Sequence, residues 1–520
     1  MKKLLAVTLI VLLSVCLLWG CGKKEATADA PALYYNLDWN KTLTADESGA
    51  YSVNFLLGGD RKTFKVTDEA LLERILHQDF LGLTLEGDTI TGMTSMWDMP
   101  YRRLTQNYYV TSIGGNTAKF NRVSSGAAEE LLLELPEGIA IYDATALSTS
   151  IGATTELQKN DQASVVADAA GNLHAIYVTE RAAVLGAEKI FCEHCQANTN
   201  WYQWLSTSSM PTAAGHYILS DNVNMVSAAK MGNVNICLDL NGKTVTQTTY
   251  GTQMYVMGSG GTLTIMDTVG GGRMIPASVD ASYNENSRYG MIINTMALEC
   301  TVNIYAGTLD ASNCTAQYGC AVNQTAGTLN MYGGEIIGGT AFGTGSTALR
   351  IAGTMNMYGG KIVGGKHVNI GYDSINVEGG AAIRCAGIII MHDGIIEGGE
   401  SWTNGGVLYL SDAAKLIMKG GCITGGKSAA DGGGVYATGS STVTLSGNAQ
   451  ITGNQGSNLW IDGFAKVFIG DEGLGEDALF GISMTMPGYF LEDAPADMDI
   501  TKHFVSDDSS KKIAADGSLK

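Results

Sequence analysis

A repeated sequence in the second half of the chain limits its possible folds more than any other feature. The copy at residues 327–339 reads GTLNMYGGEIIGG, and the copy at 353–365 reads GTMNMYGGKIVGG. Weaker copies start at residues 300, 387, 414 and 441, so successive copies start 26 to 34 residues apart. A period in this range indicates stacked structural units, and any function must lie on the long surface that such a stack creates.

Within each copy the apolar residues alternate, which is typical of β-strands. A glycine corner follows, then an apolar position such as Ile336 or Ile362, and a further short strand precedes each copy. Each unit therefore has three strands and three corners. A unit of this size cannot bury its own apolar face, and stacking buries all of the faces together. The alternating pairs are Leu329 and Met331, Met355 and Met357, Ile389 and Met391, Leu416 and Met418, and Val443 and Leu445.

Together with the segment CLDLNGKTV at 237–245, these repeats resemble a right-handed parallel β-helix of the broad pectate-lyase-like superfamily. They resemble more closely the repeat-bearing surface proteins of gut bacteria. No proline lies between Pro276 and Pro487, as expected for strands that are hydrogen-bonded on both edges. The resemblance implies an all-β chain, with a right-handed parallel β-helix of about nine coils preceded by a small β-rich N-terminal region. This fold hosts enzymes, adhesins and inert stalks, so it does not decide the function.

The N-terminus predicts export. Two lysines precede an apolar run from Leu4 to Leu18, which is typical of a secretory signal. The run ends in LWGC at 18–21, which resembles the bacterial lipoprotein box, and this resemblance implies that Cys21 carries lipid. An ordinary signal with a chance cysteine is the alternative. We therefore expect a protein anchored to the outer face of the bacterial cell membrane by lipidated Cys21.

The remaining segments lack the repeat. Tyr51–Leu57 and residues 108–113 are predicted strands, Asp68 to Gln78 is the best helix candidate, and residues 163–178 are typical of a hairpin. The predicted organisation is a signal peptide (1–20), a lipidated tether (21–33), a β-rich domain with one helix (34–136), a small β-barrel-like module (137–185), a connector and N-terminal cap with the CxxC (186–216), the β-helix (217–480), and a C-terminal cap and tail (481–520).

The composition is acidic, with 32 basic and 51 acidic residues and a net charge of −19. This charge argues against binding nucleic acid or anionic lipid, and it disfavours polyanionic sugars unless a local basic patch reverses the field. The expected partners are a polysaccharide or host glycan and, through the N-terminal lipid, the membrane. We expect a monomer without a cofactor.

Cysteine usage leaves several possibilities open. Cys192 and Cys195 have CxxC spacing, but a zinc site needs about four ligands and no second cysteine pair is near in sequence. His194 and His216 are too few to complete such a site. A local disulfide between Cys192 and Cys195, or free thiols, is therefore favoured over metal binding or redox chemistry, and no metal site is predicted.

One column of outward positions on the first strand of each coil suits a sugar chain. Aromatic rings pack against the apolar faces of sugars, and arginine donates paired hydrogen bonds to carboxylate or sulfate. The alternative is that these side chains only stabilise one another. Asn303, Asn330 and Asn356, followed by Tyr305, Tyr332 and Tyr358, are interpreted as structural ladders. The glycan-binding candidates, called here the first-strand column, are Arg350, Arg384, Tyr409, Tyr436 and Trp460.

No catalytic residue is assigned, because the repeat carries no stacked carboxylates, and glycoside hydrolysis usually needs two facing one bond. The long insertions could still assemble such a pair from Asp280, Glu285, Asp373 and Glu378. The sequence therefore predicts a lipid-anchored, non-catalytic surface protein that presents a β-helix face for adhesion or glycan binding. The alternatives are a polysaccharide lyase or glycoside hydrolase, and a passive spacer.

Overall fold

The structure is a computed structural model that describes residues 32–520, apart from 40, 42, 106–107, 125–126, 146–150, 159–160, 185–189, 193, 250–251, 278–290, 317–320, 343–345, 370–378, 412 and 496–497. The predicted signal peptide and Cys21 lie outside these residues. Within the described part of the chain, no helix combines the length and apolar composition needed to span a membrane. The chain is all-β, which confirms the predicted fold class.

A closed five-stranded barrel forms the first part of the N-terminal region. The predicted helix is present as Glu69–Leu76, where Asp68 accepts hydrogen bonds from two amides of the first turn and Leu71, Leu72 and Ile75 are buried. A short 3₁₀ helix follows at Met96–Asp98. The barrel strands are Tyr34–Asn36, Tyr51–Leu57, Asp60–Val66, Phe80–Glu86 and Thr89–Ser95.

A second sheet packs against the barrel and joins strands from both sides of residue 137. Gln162–Asp168 pairs with Tyr109–Gly114 and forms the predicted hairpin with Leu173–Glu180. The barrel thus lies N-terminal to residues 137–185, where the sequence predicted a barrel-like module. Ala140–Asp143, Gln162–Asp168 and Leu173–Glu180 of that segment belong to the second sheet, and Ala182–Val184 pairs with Trp201–Trp204. The other strands are Tyr101–Arg103, Thr117–Ser124, Ala127–Glu134 and Ala140–Asp143.

The carboxyl group of Glu180 is buried between this sheet and the connector. Its Oε1 accepts a hydrogen bond from the Ser209 hydroxyl, and its Oε2 is shielded from solvent without a hydrogen-bond partner among the described residues. Burial, the larger effect, raises the pKa of Glu180 to about 7, and the Ser209 hydrogen bond opposes it only in part. The folded protein therefore binds a proton here over a pH range in which the unfolded chain has released it.

We expect the stability of this region to fall as pH rises from about 4.5 to about 7. A raised folded-state pKa stabilises the protein below the unfolded pKa, and that contribution is lost as pH passes the folded pKa, at up to about 1.4 kcal/mol per pH unit. Glu180→Gln, which is neutral throughout, should flatten the dependence of the thermal midpoint on pH. Glu137→Gln, at an exposed position, is the control. An unchanged slope in Glu180→Gln would contradict the assignment.

The second strands of the coils form one long parallel sheet, called here the second-strand ladder. Each strand pairs in parallel with the strand of the next coil, as in Leu329 with Met355 and Met355 with Ile389. The ladder extends beyond the predicted 217–480 at both ends. Its strands are Trp201–Trp204, Gly215–Leu219, Asn235–Asp239, Gly261–Met266, Cys300–Ile304, Thr328–Met331, Thr354–Met357, Ile388–Met391, Lys415–Met418, Thr442–Gly447, Lys466–Leu474 and Leu491–Glu492.

The first strands of the coils form a second parallel ladder, called the first-strand ladder. Residues at equal positions of successive coils lie side by side, as Leu349 does with Ile383. Its strands are Ala229–Met231, Tyr255–Met257, Ile293–Thr295, Val322–Gln324, Leu349–Ile351, Ile383–Cys385, Leu408–Leu410, Val435–Ala437 and Leu459–Ile461.

The third strands complete each coil. Short additional strands follow some of them at Thr315–Ala316, Thr340–Phe342 and Lys427–Ser428. The third strands are Val223–Met225, Thr244–Gln247, Arg273–Ile275, Thr308–Asp310, Glu335–Ile337, Lys361–Val368, Ile395–Ser401, Cys422–Thr424, Gln450–Ile451, Leu479–Met484 and Phe504–Ser506.

One continuous apolar core runs through the coils from Trp204 to Phe504. It includes a column of methionines, Met331, Met357, Met391 and Met418, which pair in register and are fully buried. At the C-terminal end the helix Ile500–His503 and the antiparallel strands Gly488–Tyr489 and Ser518–Leu519 follow the last coils. The alternating apolar residues of the repeat thus point inward, as the sequence predicted.

Candidate functional site

The first-strand column is aligned as the sequence predicted. Arg350, Arg384, Tyr409, Tyr436 and Trp460 pair in register on five successive strands of the first-strand ladder. Their backbone positions therefore form one continuous row along the β-helix.

The two tyrosines of this column are nevertheless buried. Tyr409 is 9% exposed and Tyr436 7% exposed, and their rings stack with centroids 5.5 Å apart. Glycine segments pack beside them: a Cβ on Gly380 would lie 3.0 Å from the Cβ of Tyr409, and one on Gly432 would lie 2.8 Å from the Cβ of Tyr436. Because the ring faces are covered, they are not available to a sugar without rearrangement.

Burial also acts on the charged and phenolic groups of the column. It lowers the pKa of the Arg384 guanidinium, and neighbouring Arg350 lowers that pKa further. Burial raises the pKa of Tyr436, whose hydroxyl donates a hydrogen bond to Asp462 Oδ2 at 2.7 Å. These contacts are those of a packed side-chain ladder.

A second aromatic row lies at the corner after the second strand. The rings of Tyr305, Tyr332, Tyr358 and His392 stack in sequence, with centroid separations of 4.4, 4.9 and 4.5 Å. Tyr332 is 40% exposed and Tyr358 43% exposed. Since each ring face lies against the next ring, the row presents ring edges to solvent. This geometry fits the structural role that the sequence predicted.

The asparagine ladder has the hydrogen bonds expected of it. Asn356 Nδ2 donates to Asn330 Oδ1 at 2.8 Å, and Asn330 Nδ2 donates to Asn303 Oδ1 at 2.9 Å. Asn303 Nδ2 donates in turn to Thr264 Oγ1 at 3.2 Å. The side-chain amides of this ladder therefore donate hydrogen bonds within the β-helix surface, from each coil to the preceding one.

An open cleft of about 470 Å³ lies where the third strands lead into the next coil. This volume is within the range of small-molecule sites. The cleft lies beside the additional strand Lys427–Ser428 and the ends of Lys361–Val368 and Ile395–Ser401. Among its lining residues are Lys366, His367, Val368, Glu400, Trp402 and Lys427.

Trp402 differs from the other aromatic residues discussed above because small side chains flank it. The registers pair His367 with Ser401 and Ser401 with Ser428. One residue further along, Trp402 therefore lies between Val368 and Ala429 of the adjacent coils. Neither flanking position carries an aromatic residue, and the one ring that contacts the indole is the tilted imidazole of His367, at a centroid distance of 6.2 Å among the described residues. The indole is half-buried and lines the cleft, so part of its surface is available for contact with a ligand.

Charged side chains form a row beside Trp402. Lys366, Glu400 and Lys427 occupy paired positions of three coils and are exposed. Lys427 Nζ lies 3.1 Å from Glu400 Oε1, and this hydrogen bond is the main cause of the lowered pKa of Glu400. Two ammonium groups against one carboxylate make the row locally cationic on an acidic protein.

Three described aspartates of the first coils make structural hydrogen bonds or ion pairs. Asp239 accepts from the amide and hydroxyl of Thr268, and Asp267 accepts from the amides of Gly242 and Gly272. Asp310 lies 2.6 Å from the guanidinium of Arg273. The loop carboxylates considered for catalysis, Asp280, Glu285, Asp373 and Glu378, all lie outside the described residues.

The CxxC motif lies on a short hairpin, called here the cysteine hairpin, formed by Ile190–Cys192 and Ala197–Thr199. Cys192 and Cys195 are both free thiols. The structure brings His216 and Cys237 to them, and the four ligand atoms lie within 4.8 Å of one another. The sequence predicted no metal site because no second cysteine pair lies near the CxxC in sequence, and His194 and His216 alone were too few to complete a set of four ligands.

The fold and these surfaces define the protein as a parallel β-helix with a β-rich N-terminal region and an open cleft on its side. Comparison with models of known families, with curated proteins and with solved structures returned no match.

Proposed function

We propose that this chain is a non-catalytic, lipid-anchored surface protein whose β-helix binds glycan at the Trp402 cleft. Cys21 would carry the lipid and hold the protein at the outer face of the bacterial cell membrane. The resemblance of the repeat to the pectate-lyase-like superfamily, and to surface proteins of gut bacteria, is part of this proposal. Binding would be to a polysaccharide or host glycan.

The observation that carries the proposal is the environment of Trp402. An indole flanked by Val368 and Ala429 can pack against the apolar face of a sugar ring. Lys366 and Lys427 beside it can donate hydrogen bonds to hydroxyl or carboxylate oxygens. A neutral or acidic oligosaccharide is therefore the ligand class that fits the cleft.

The first-strand column remains a predicted second contact for the same ligand. Its buried tyrosines argue that it stabilises the coils, whereas half-buried Arg350, Arg384 and Trp460 retain some access to solvent. A polysaccharide lyase or glycoside hydrolase remains the alternative function, and it would depend on the loop carboxylates.

We expect Trp402→Ala to weaken glycan binding by at least about tenfold, because truncating a central aromatic anchor typically costs roughly 2 kcal/mol or more. The full chain is first applied to a broad glycan array, and the affinity for the best ligand is then measured by calorimetry. Trp97→Ala is the matched control, since Trp97 is 92% exposed and lies outside the cleft. A combined Tyr409, Tyr436 and Trp460 to alanine variant tests the first-strand column.

The result that contradicts the proposal is glycan binding that Trp402→Ala leaves unchanged, or no glycan binding by the full chain. Product analysis of the bound glycan separates the functions further. Intact ligand supports non-catalytic binding, whereas release of shorter sugars supports the enzyme alternative.

A further inference from the structure

We propose that Cys192, Cys195, His216 and Cys237 form a structural zinc site that fastens the cysteine hairpin to the first coils of the β-helix. The site is independent of the glycan-binding proposal, because none of these residues lines the Trp402 cleft.

The topology explains how the four residues meet. Cys192 ends the first strand of the hairpin and Cys195 lies in its turn. His216 and Cys237 are direct partners on two adjacent parallel strands, so their side chains project from the same face of the second-strand ladder. The hairpin therefore supplies two ligands from above, and the sheet supplies two from below.

The distances fit one tetrahedral ion. Cys195 Sγ lies 3.2 Å from Cys237 Sγ and 3.2 Å from His216 Nε2. The ligand atoms of all four residues lie within 4.8 Å of one another. With bonds of about 2.3 Å to sulfur and 2.0 Å to nitrogen, tetrahedral zinc requires ligand atoms roughly 3.5 to 3.8 Å apart. Small movements of the side chains would therefore suffice to bind the ion.

A hydrogen bond on the far side of the imidazole orients His216 as a ligand. His216 Nδ1 lies 3.1 Å from the hydroxyl oxygen of Thr199, which belongs to the second strand of the hairpin. When Nδ1 donates its proton to Thr199, the lone pair of Nε2 points at the thiols. Metal-bound histidines are usually held by such an outer partner. This contact is a second observation that favours a metal over a simple thiol cluster.

A disulfide explains the cluster less completely. One disulfide uses two of the three cysteines and leaves the third thiol and the oriented imidazole without a role. Three sulfur ligands and one imidazole, in contrast, match a common composition of closed structural zinc sites. Thiolate-rich sites also select zinc over calcium or magnesium, which prefer oxygen ligands.

Burial shows what the site would hold in place. Cys237 projects from the outer face of its strand, since its neighbours Ile236 and Leu238 lie in the core, yet it is buried together with Cys192, Trp201 and Met266. The cysteine hairpin covers this part of the sheet. His194 in its turn also contacts Tyr305, the first ring of the exposed aromatic row, at a centroid distance of 3.7 Å. The ion would therefore bind the connector to the start of the β-helix.

The experiment measures metal in the full chain carrying Cys21→Ser, which removes the predicted lipid acceptor, purified with a thiol reductant and zinc. We expect inductively coupled plasma mass spectrometry to find one zinc ion per chain. After exchange for cobalt, we expect thiolate-to-cobalt charge transfer and the visible absorption of tetrahedral cobalt.

Two variants test the residues, and one serves as the control. Cys195→Ser, at an exposed position, should weaken zinc binding by more than about a hundredfold in competition with a chelator. A loss of this size is larger than the roughly 10- to 100-fold loss of metal affinity expected when a ligand loses its outer hydrogen-bond partner. Thr199→Val keeps all four ligands and should weaken binding by about 10- to 100-fold. Cys422→Ser, in the strand Cys422–Thr424 far along the β-helix, should bind zinc as the parent does.

Three results would overturn the proposal. They are a folded parent chain that takes up no zinc, equal zinc affinity in Cys195→Ser and the parent, and a Cys195–Cys237 or Cys192–Cys195 disulfide in the reduced, zinc-treated protein. Unchanged binding in Thr199→Val would remove the argument from the orientation of His216.

Discussion

Gly365→Ala is expected to destabilise the β-helix by at least about 3 kcal/mol, the upper range for overpacking a close-packed site. An added Cβ would lie 1.9 Å from the carbonyl oxygen of Gly339 and 2.8 Å from that of Gly338. Both are backbone atoms of the preceding coil, so relief of the clash requires the coils to separate. The free energy of unfolding, measured by denaturant titration of the full chain, should show the loss directly.

Gly456→Ala is the matched control for this change. Gly456 has φ of +89° and no atom within 4 Å of the added Cβ. Its cost is therefore only that of holding an L-residue in a left-handed conformation, about 1–2 kcal/mol. Equal losses in the two variants would show that the close approach between coils at Gly365 does not constrain the fold.

Leu416→Ala is expected to lower the free energy of unfolding by about 2–5 kcal/mol, as for other leucines truncated in a rigid core. Leu416 is fully buried and lies between Ile389 of the preceding coil and Val443 of the following coil. Neighbouring coils cannot close the cavity, because their backbones are fixed to each other by the hydrogen bonds of the parallel ladder. Denaturant titration again provides the measurement.

The adjacent residue gives a stringent control, since side chains alternate between the two faces of a strand. Ile417 lies on the same strand but is only half-buried and projects outward. Ile417→Ala should therefore cost less than about half as much as Leu416→Ala. If Ile417→Ala were the more damaging change, the assignment of inward and outward faces would be reversed.

The β-helix could be predicted from the sequence because every coil needs an apolar residue at the same inward positions. Leu329, Met355 and Ile389 occupy equal positions and are all buried, so their shared apolar character is visible at a fixed period. The asparagine and tyrosine ladders were visible for the same reason. Because the contacts between coils recur at equal positions, they can be recognised in the sequence as a fixed period.

The exposure of the first-strand column could not be predicted in the same way. The alternation correctly placed Tyr409 and Tyr436 on the outer face of their strands. It contained no information about the glycine segments at Gly380 and Gly432, which pack beside the rings. An outward position is exposed only if no neighbouring segment covers it, and irregular segments have no period from which this can be read.

Trp402 and the metal-ligand cluster were missed because each depends on a non-repeating segment. Trp402 follows the strand Ile395–Ser401 and has no aromatic counterpart in the neighbouring coils. Cys237 is 42 residues from Cys195, and the contact forms only when the cysteine hairpin folds over the sheet. The available signal was that His216 and Cys237 occupy the same position on two successive strands.

The buried methionine column has a chemical consequence. The added Cβ positions on Gly360, Gly394 and Gly421 fall 2.5 to 2.7 Å from the terminal methyl groups of Met331, Met357 and Met391, so each thioether ends beneath the glycine corner of the following coil. Peroxide cannot reach these sulfur atoms while the coils are wound. Once the coils separate, oxidation to sulfoxide would introduce a polar group into a space that admits none. After unwinding in an oxidising environment, the coils could therefore close again only once the sulfoxides had been reduced.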